Sequence, residues 1–430
     1  MKRSFTVIFC AVLISASTIY SQGPQTSVNP SRPRIVGATP TPESPAPSKT
    51  VVVTQTLPTP AATPKPVAPP QSTPTVAGQS GPTNASSSGA ASILSFGQIK
   101  NRLAEAKREM ATRPTTIAMT GVLPGTESVR VAFYDWDAKA IDYLSLTKDS
   151  FLTKEGEFVL TSEKSKSMKI RIIRPNGVNT PVLITDLTGK PHQALMVQYP
   201  VVRNGVFYET AYYMSTHPGL VTPEVVAAGK FYVRNTIDVA REKLRQKGIH
   251  IAPKIADVAD RLSIVEHVDH YRFRNEYHPN IYNDIFTLYA LNEGQTYRYS
   301  VSSAGAGGMI QMIPSTYRMM RDRYPGVGLM PDFVEGMRNH VNAAQAMLLY
   351  IQMTYNDLVA SPTVASALES GIATEMELLS AGYNSNPARL PGYIKRGGSN
   401  WRNLIPRETQ IYLQINASMD RFVPIVPRTK

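Results

Sequence analysis

LNEGQTYRYSVSSAGAGGMIQMIPSTY, residues 291–317, is the stretch that decides how this chain reads. An apolar run, Ile285-Phe286-Thr287-Leu288-Tyr289-Ala290-Leu291, leads into it, and one carboxylate, Glu293, stands where that run ends. A segment of small residues, Ser302 to Gly308, follows, and an apolar turn closes on Gln311. The pattern predicts a helix over 280–293, then a glycine loop able to turn tightly and to approach a ligand closely. Burial disfavours the charged form of a carboxyl group. A carboxyl kept protonated near neutral pH is what a general acid needs. Glu293 is therefore the candidate catalytic residue.

Working outward, the chain from 222 onward reads as mainly α-helical. Thr222-Pro223-Glu224 supplies an N-cap, a proline at the first helical position and an acid in the first turn. A basic amphipathic helix over 230–246 ends at Gly248, and further helices are predicted over 255–268, 280–293, 316–324, 338–355 and 374–383. No P-loop, dinucleotide fingerprint, CxxC or HExxH pattern occurs, and no cofactor is implied. His267 and His270 have helical spacing, but no third ligand accompanies them, so they read as helix-surface residues and no metal site is expected.

Upstream, residues 91–215 read as a small β-rich domain with an N-terminal basic helix over 93–112. Runs such as Ser128–Phe133, Met168–Ile173 and Thr180–Thr185 carry β-branched residues, and turn signals at Pro124-Gly125, Pro175-Asn-Gly177 and Asn204-Gly205 separate them. Nothing in this region points to a function of its own. Residues 22–90 hold 15 of the 34 prolines with Ser, Thr, Ala and Gly, so they cannot bury enough apolar area to offset ordering entropy and read as a disordered linker. Residues 1–21 read as a signal peptide: Lys2 and Arg3, an apolar run from Phe5 to Ile14, and a small residue at Ser21. The expected location is outside the cytoplasm, in the periplasm or cell envelope, with membrane association only transient, through the signal peptide. The single cysteine, Cys10, lies in that leader, so the mature domains are expected to stand on their cores without disulfides. The net charge of +13 suits an anionic polymer or surface. Nucleic acid is not the expected partner, because an export signal is present and no recognition module is.

Three ordered blocks carry a resemblance. They are Ser302-Ser-Ala-Gly-Ala-Gly-Gly-Met-Ile-Gln311 with Pro314, Gly382-Tyr-Asn-Ser-Asn-Pro387, and Pro406-Arg-Glu-Thr-Gln-Ile-Tyr412. With Glu293 upstream, the segment 255–420 resembles the catalytic core of the soluble lytic transglycosylase family, which has a goose-type-lysozyme-like fold. Gly294 and Gly382 depart from that pattern, where Ser and Ala are usual, and Asn386 stands where Gly is common. The resemblance implies a multidomain α+β chain with a lysozyme-like catalytic domain over 222–430. It implies cleavage of peptidoglycan glycan strands by one carboxyl group, Glu293, without water, giving 1,6-anhydro products. It further implies that Ser302, Gln311, Tyr383, Asn384 and Glu408 contact substrate, with Tyr383 orienting the acid, and a cell-envelope protein partner is a further expectation. Tyr297, Tyr299 and Trp401 are either cleft aromatics or packing residues. Asp322, Asp332 and Glu335 are the candidates for a second carboxylate, as a lysozyme-type hydrolase would need. A wall-binding or secretion-scaffold protein with a weak site is the reading from a different class, and Gly294 is its best support.

Overall fold

The computed structural model describes residues 93–113, 127–203 and 205–429. The signal peptide and the Pro-rich linker expected over 1–21 and 22–90 lie outside the described residues, as do Pro124-Gly125 and Asn204. The fold is mixed α+β, a curled antiparallel sheet followed by a mostly helical half.

The sheet has seven strands: β1 (Ser128–Asp135), β2 (Ala140–Thr147), β3 (Glu157–Thr161), β4 (Ser167–Ile172), β5 (Val182–Asp186), β6 (Pro191–Arg203) and β7 (Val206–Tyr213). Their order is β2-β1-β6-β5-β4-β3, with β7 also paired to β6. A register break at Ala132/Phe133 leaves Leu195 of β6 as an extra residue, and one at Val201/Val202 leaves Tyr208 of β7 as another, the pattern of β-bulges. The helix Phe96–Thr112 begins at a Ser95 capping box. It lays Ile99, Leu103, Ala106 and Met110 on Ala132, Tyr134, Leu195 and Met196 of the sheet.

The helical half is tied to this sheet. Ala290 and Leu291 share the cluster under the Phe96–Thr112 helix. Asn292, at the end of the helix His278–Asn292, accepts from the Met214 amide at 2.9 Å and donates to the Met214 carbonyl at 2.8 Å. Behind it, the helix Pro223–Gln246 crosses so closely that a Cβ on Gly229 would meet the Phe286 carbonyl oxygen at 1.9 Å. The residue must be glycine for the two backbones to touch.

The helix Pro253–Val265 and the long helix His340–Val359 form the middle of the core, both buried along most of their length. Glu375–Asn384 and Arg407–Phe422 close it. Past that last helix the chain returns to the Pro223–Gln246 and Pro253–Val265 helices. There Arg428, its side chain only 4 % exposed, bonds Asp238, Asp257 and Asp260 at 2.6, 2.8 and 2.7 Å. No helix among the described residues is long and apolar enough to cross a membrane.

Candidate active site

The three sequence blocks converge. One open cavity of about 480 Å³ is lined by Ser302, Gln311, Tyr383, Asn384 and Glu408, together with Tyr350, Asn386 and Glu266. Each side chain arrives on a different device.

The loop from Ser300 is pinned by backbone and by Ser302. The Ser302 amide donates to the Ala306 carbonyl, and its hydroxyl accepts the Ala306 amide, both at 2.8 Å. Ser302 lines the cavity, but it is buried and its hydroxyl holds the loop. Gly308 has φ +68, and a Cβ there would meet the Met337 carbonyl at 2.7 Å, so the turn admits glycine alone without displacement. The same turn forces Gln311 into the left-handed region, φ 45 and ψ 39, a costly place for a non-glycine residue. Three contacts hold it: its Nε2 donates to the Gly308 carbonyl at 2.8 Å and reaches the Ser300 carbonyl and hydroxyl at 3.3 Å. Gln311 Oε1 is left to accept from a bound ligand.

From the second block, the Tyr383 hydroxyl donates to the Ile310 carbonyl at 2.7 Å, bracing the turn that presents Gln311. Asn384, the last residue of its helix, accepts from the buried Thr409 hydroxyl at 2.8 Å, which joins the second block to the third. Glu408 lies in the first turn of the helix Arg407–Phe422, where the helix dipole favours an acid.

The acid in this cavity is not the one the spacing predicts. Glu293 does not line it. It ends its helix with φ 43 and ψ −124, its side chain is 52 % exposed, and Lys100 pairs with it at 2.6 Å. Solvent and a cation surround it in place of the apolar wall expected from the sequence. Tyr383, expected to orient Glu293, is instead braced against Ile310.

The cavity's own carboxylates are Glu266 and Glu408. Glu266 caps the helix Pro253–Val265 after the apolar run Ile264-Val265, is half-buried, and accepts from the wholly buried Tyr412 hydroxyl at 2.7 Å. Sequence reasoning missed Glu266, although a helix ending in apolar residues and one acid is the signal that singled out Glu293. The other candidate carboxylates are also elsewhere: Asp332 caps a helix through the Glu335 amide, Glu335 pairs with Arg338, and neither they nor Asp322 line the cavity.

The neighbouring aromatics are structural. His267 is buried, not a surface residue: its ring stacks on Tyr297 with centroids 3.3 Å apart, and its Nε2 lies 2.9 Å from the Met309 carbonyl. Tyr297 is therefore interior, and Trp401 is fully buried with its Nε1 donating to the Ile372 carbonyl. Of the methionines near the loop, Met309, Met312 and Met320 fill the core, while Met319 is exposed.

Fold and cleft together define an α+β protein with an open groove carrying two carboxylates, an amide from a strained turn and the braced Tyr383. Comparison with protein-family models, with curated proteins and with solved structures returned no match for this chain.

Proposed function

We propose that the protein is a lytic transglycosylase acting on peptidoglycan glycan strands in the cell envelope, with Glu266 as the acid. The observation that carries the reading is the convergence of the blocks 302–311, 382–387 and 406–412 on the single groove that Glu266 enters. The resemblance to the soluble lytic transglycosylases rests on those same blocks together with Glu293 upstream, whose role passes to Glu266 in this reading.

In this reading one carboxyl group suffices. Glu266 protonates the glycosidic oxygen while the substrate's own acetamido group attacks the anomeric carbon. The resulting carboxylate then removes the proton of the sugar's 6-hydroxyl, whose oxygen attacks the anomeric carbon, displaces the acetamido oxygen and so closes the anhydro ring. Tyr412 fixes the rotamer of Glu266, which a group that must face two different oxygens in turn requires. Gln311 accepts from the acetamido N–H, and Asn384 binds the flanking sugar or peptide. Tyr383 acts through the turn it braces.

A hydrolase is the second reading, and the presence of Glu408 in the same groove favours it, since an inverting or retaining hydrolase uses two carboxyl groups. Mass spectrometry of sacculi digested with the purified protein separates the two. Anhydro-muropeptides support the transglycosylase, reducing ends support the hydrolase, and intact sacculi with the folded protein overturn both.

A further inference from the structure

A second cavity, of about 550 Å³, lies behind the glycine loop. Ser302 and Ala306 face the groove already described, whereas Gly305, Gly307 and Gly308 face this one, so a single loop is the shared wall. Its other walls come from the sheet and from the helix Phe333–Arg338.

Four cations line it, Lys148, Arg203, Arg298 and Arg338, and no Asp or Glu does. The acids stand behind the arginines. Glu209 takes Arg298 at 2.9 Å and Arg338 at 3.3 Å, and Glu335 takes Arg338 at 2.6 Å. Glu209 is partly buried and Glu335 exposed, and together they set the direction of each guanidinium while leaving its Nε unused. Nε of Arg298 and Nε of Arg338 are both buried with no hydrogen-bond partner, and the Arg338 side chain is only 10 % exposed. A buried N–H left unpaired is costly. Tyr299 and Phe333 add apolar and aromatic wall.

We propose that this cavity binds the carboxylate-bearing peptide branch of the same polymer whose sugars occupy the groove. The proposal rests on the peptidoglycan reading above. A fork of arginine donors recognises carboxylate, the aromatic wall suits small aliphatic side chains, and the shared loop sets the peptide site directly against the sugar site. The β-rich half thereby acquires a role in substrate selection.

The test is calorimetric titration of the whole protein with the free tetrapeptide L-alanyl-γ-D-glutamyl-diaminopimelyl-D-alanine, alongside the same peptide amidated at its carboxylates and an unrelated acidic L-peptide. Saturable one-site binding is expected, weakened about tenfold or more by amidation and by Arg298→Gln, the loss of one charge-assisted pair. Arg203→Gln is the second variant; Arg203 is exposed and stacks on the Tyr208 ring at 3.9 Å, so folding does not hang on it. Absence of saturable binding overturns the proposal, as does equal affinity in both variants, or equal binding of the unrelated peptide. Binding is read without turnover, so a groove that cleaves nothing would fail the transglycosylase reading and leave this result distinct.

Discussion

Tyr412 and Glu266, far apart in sequence, meet at 2.7 Å, the buried phenol donating to the half-buried carboxylate. The ring of Tyr412 is fully enclosed, so Tyr412→Phe retains packing and removes only the hydroxyl. A hydrogen bond to a charged group contributes about 1.5–3 kcal/mol, or roughly one to two powers of ten in rate. Turnover on sacculi is expected to fall by that amount while the melting temperature changes little, and the pH–rate profile is expected to shift. An unchanged rate and profile would remove Tyr412 from the site.

The two glutamates at helix ends are distinguished by charge-neutral replacement. Glu266→Gln is expected to abolish turnover, since general acid–base help alone is worth ~10²–10⁴-fold, with glycan binding retained. Glu293→Gln is expected to turn over normally. Activity assays of both variants on one sacculus preparation decide it; the opposite pattern would return the acid to Glu293.

Glu293 carries a stability prediction as well. Its φ of 43 with ψ −124 is a backbone position that glycine adopts freely, and strain there costs of order 1–3 kcal/mol. Its exposed pair with Lys100 contributes ~0–1 kcal/mol. Glu293→Gly is therefore expected to match or exceed the parent in urea denaturation, and a clear loss would show that the ion pair outweighs the strain.

Gly229→Ala tests the helix crossing. In the interior of an exposed helix this change stabilises by roughly 0.5–1 kcal/mol. Here the new methyl would overlap the Phe286 carbonyl, so the sign is expected to reverse and the melting temperature to drop.

Two imidazoles predict acid sensitivity. Burial pushes His340 down to about 4 and His217 down to about 3. His340 lies 2.9 Å from the Thr296 carbonyl and 2.8 Å from the Tyr232 hydroxyl, an arrangement suited to the neutral ring. The unfolded chain protonates both near 6.5 and the folded chain refuses those protons, so stability is full above that value. It is expected to fall as pH drops from 6.5 toward 4, by roughly 1.4 kcal/mol per unit for each ring. Denaturation curves across that range check it, and His340→Gln is expected to flatten the slope.

The blocks at 302–311, 382–387 and 406–412 were legible because each is built from local turn chemistry: glycines at positive φ, a proline start, a helix end. The helices that were predicted lie within a few residues of their observed bounds, as with 374–383 against Glu375–Asn384, whereas Pro362–Glu369, Leu390–Gly397 and Arg407–Phe422 were not anticipated. The acid was not legible. The apolar run ending at Leu291 points to Glu293, but the helix His278–Asn292 and its neighbour lie in the chain between Glu266, which lines the groove, and the loop. Only three-dimensional packing reveals that Val265-Glu266, not Leu291-Asn292-Glu293, ends at the groove. The stack of His267 on Tyr297 is likewise a long-range contact with no local signature.

Arg428 closes the molecule onto Asp257 and Asp260, and its synthesis comes last of the three. Burial drives Asp260 upward from its ordinary carboxyl range, the Arg428 guanidinium opposing it. Removing one partner of such a buried pair costs about 3–5 kcal/mol, so Arg428→Ala is expected to lower the melting temperature sharply. On the ribosome the same arithmetic acts in time. Until residue 428 has been made, Asp260 has only Arg234, at 3.6 Å, to answer it, so the helix Pro253–Val265 gains its full charge partner after the last helix has formed.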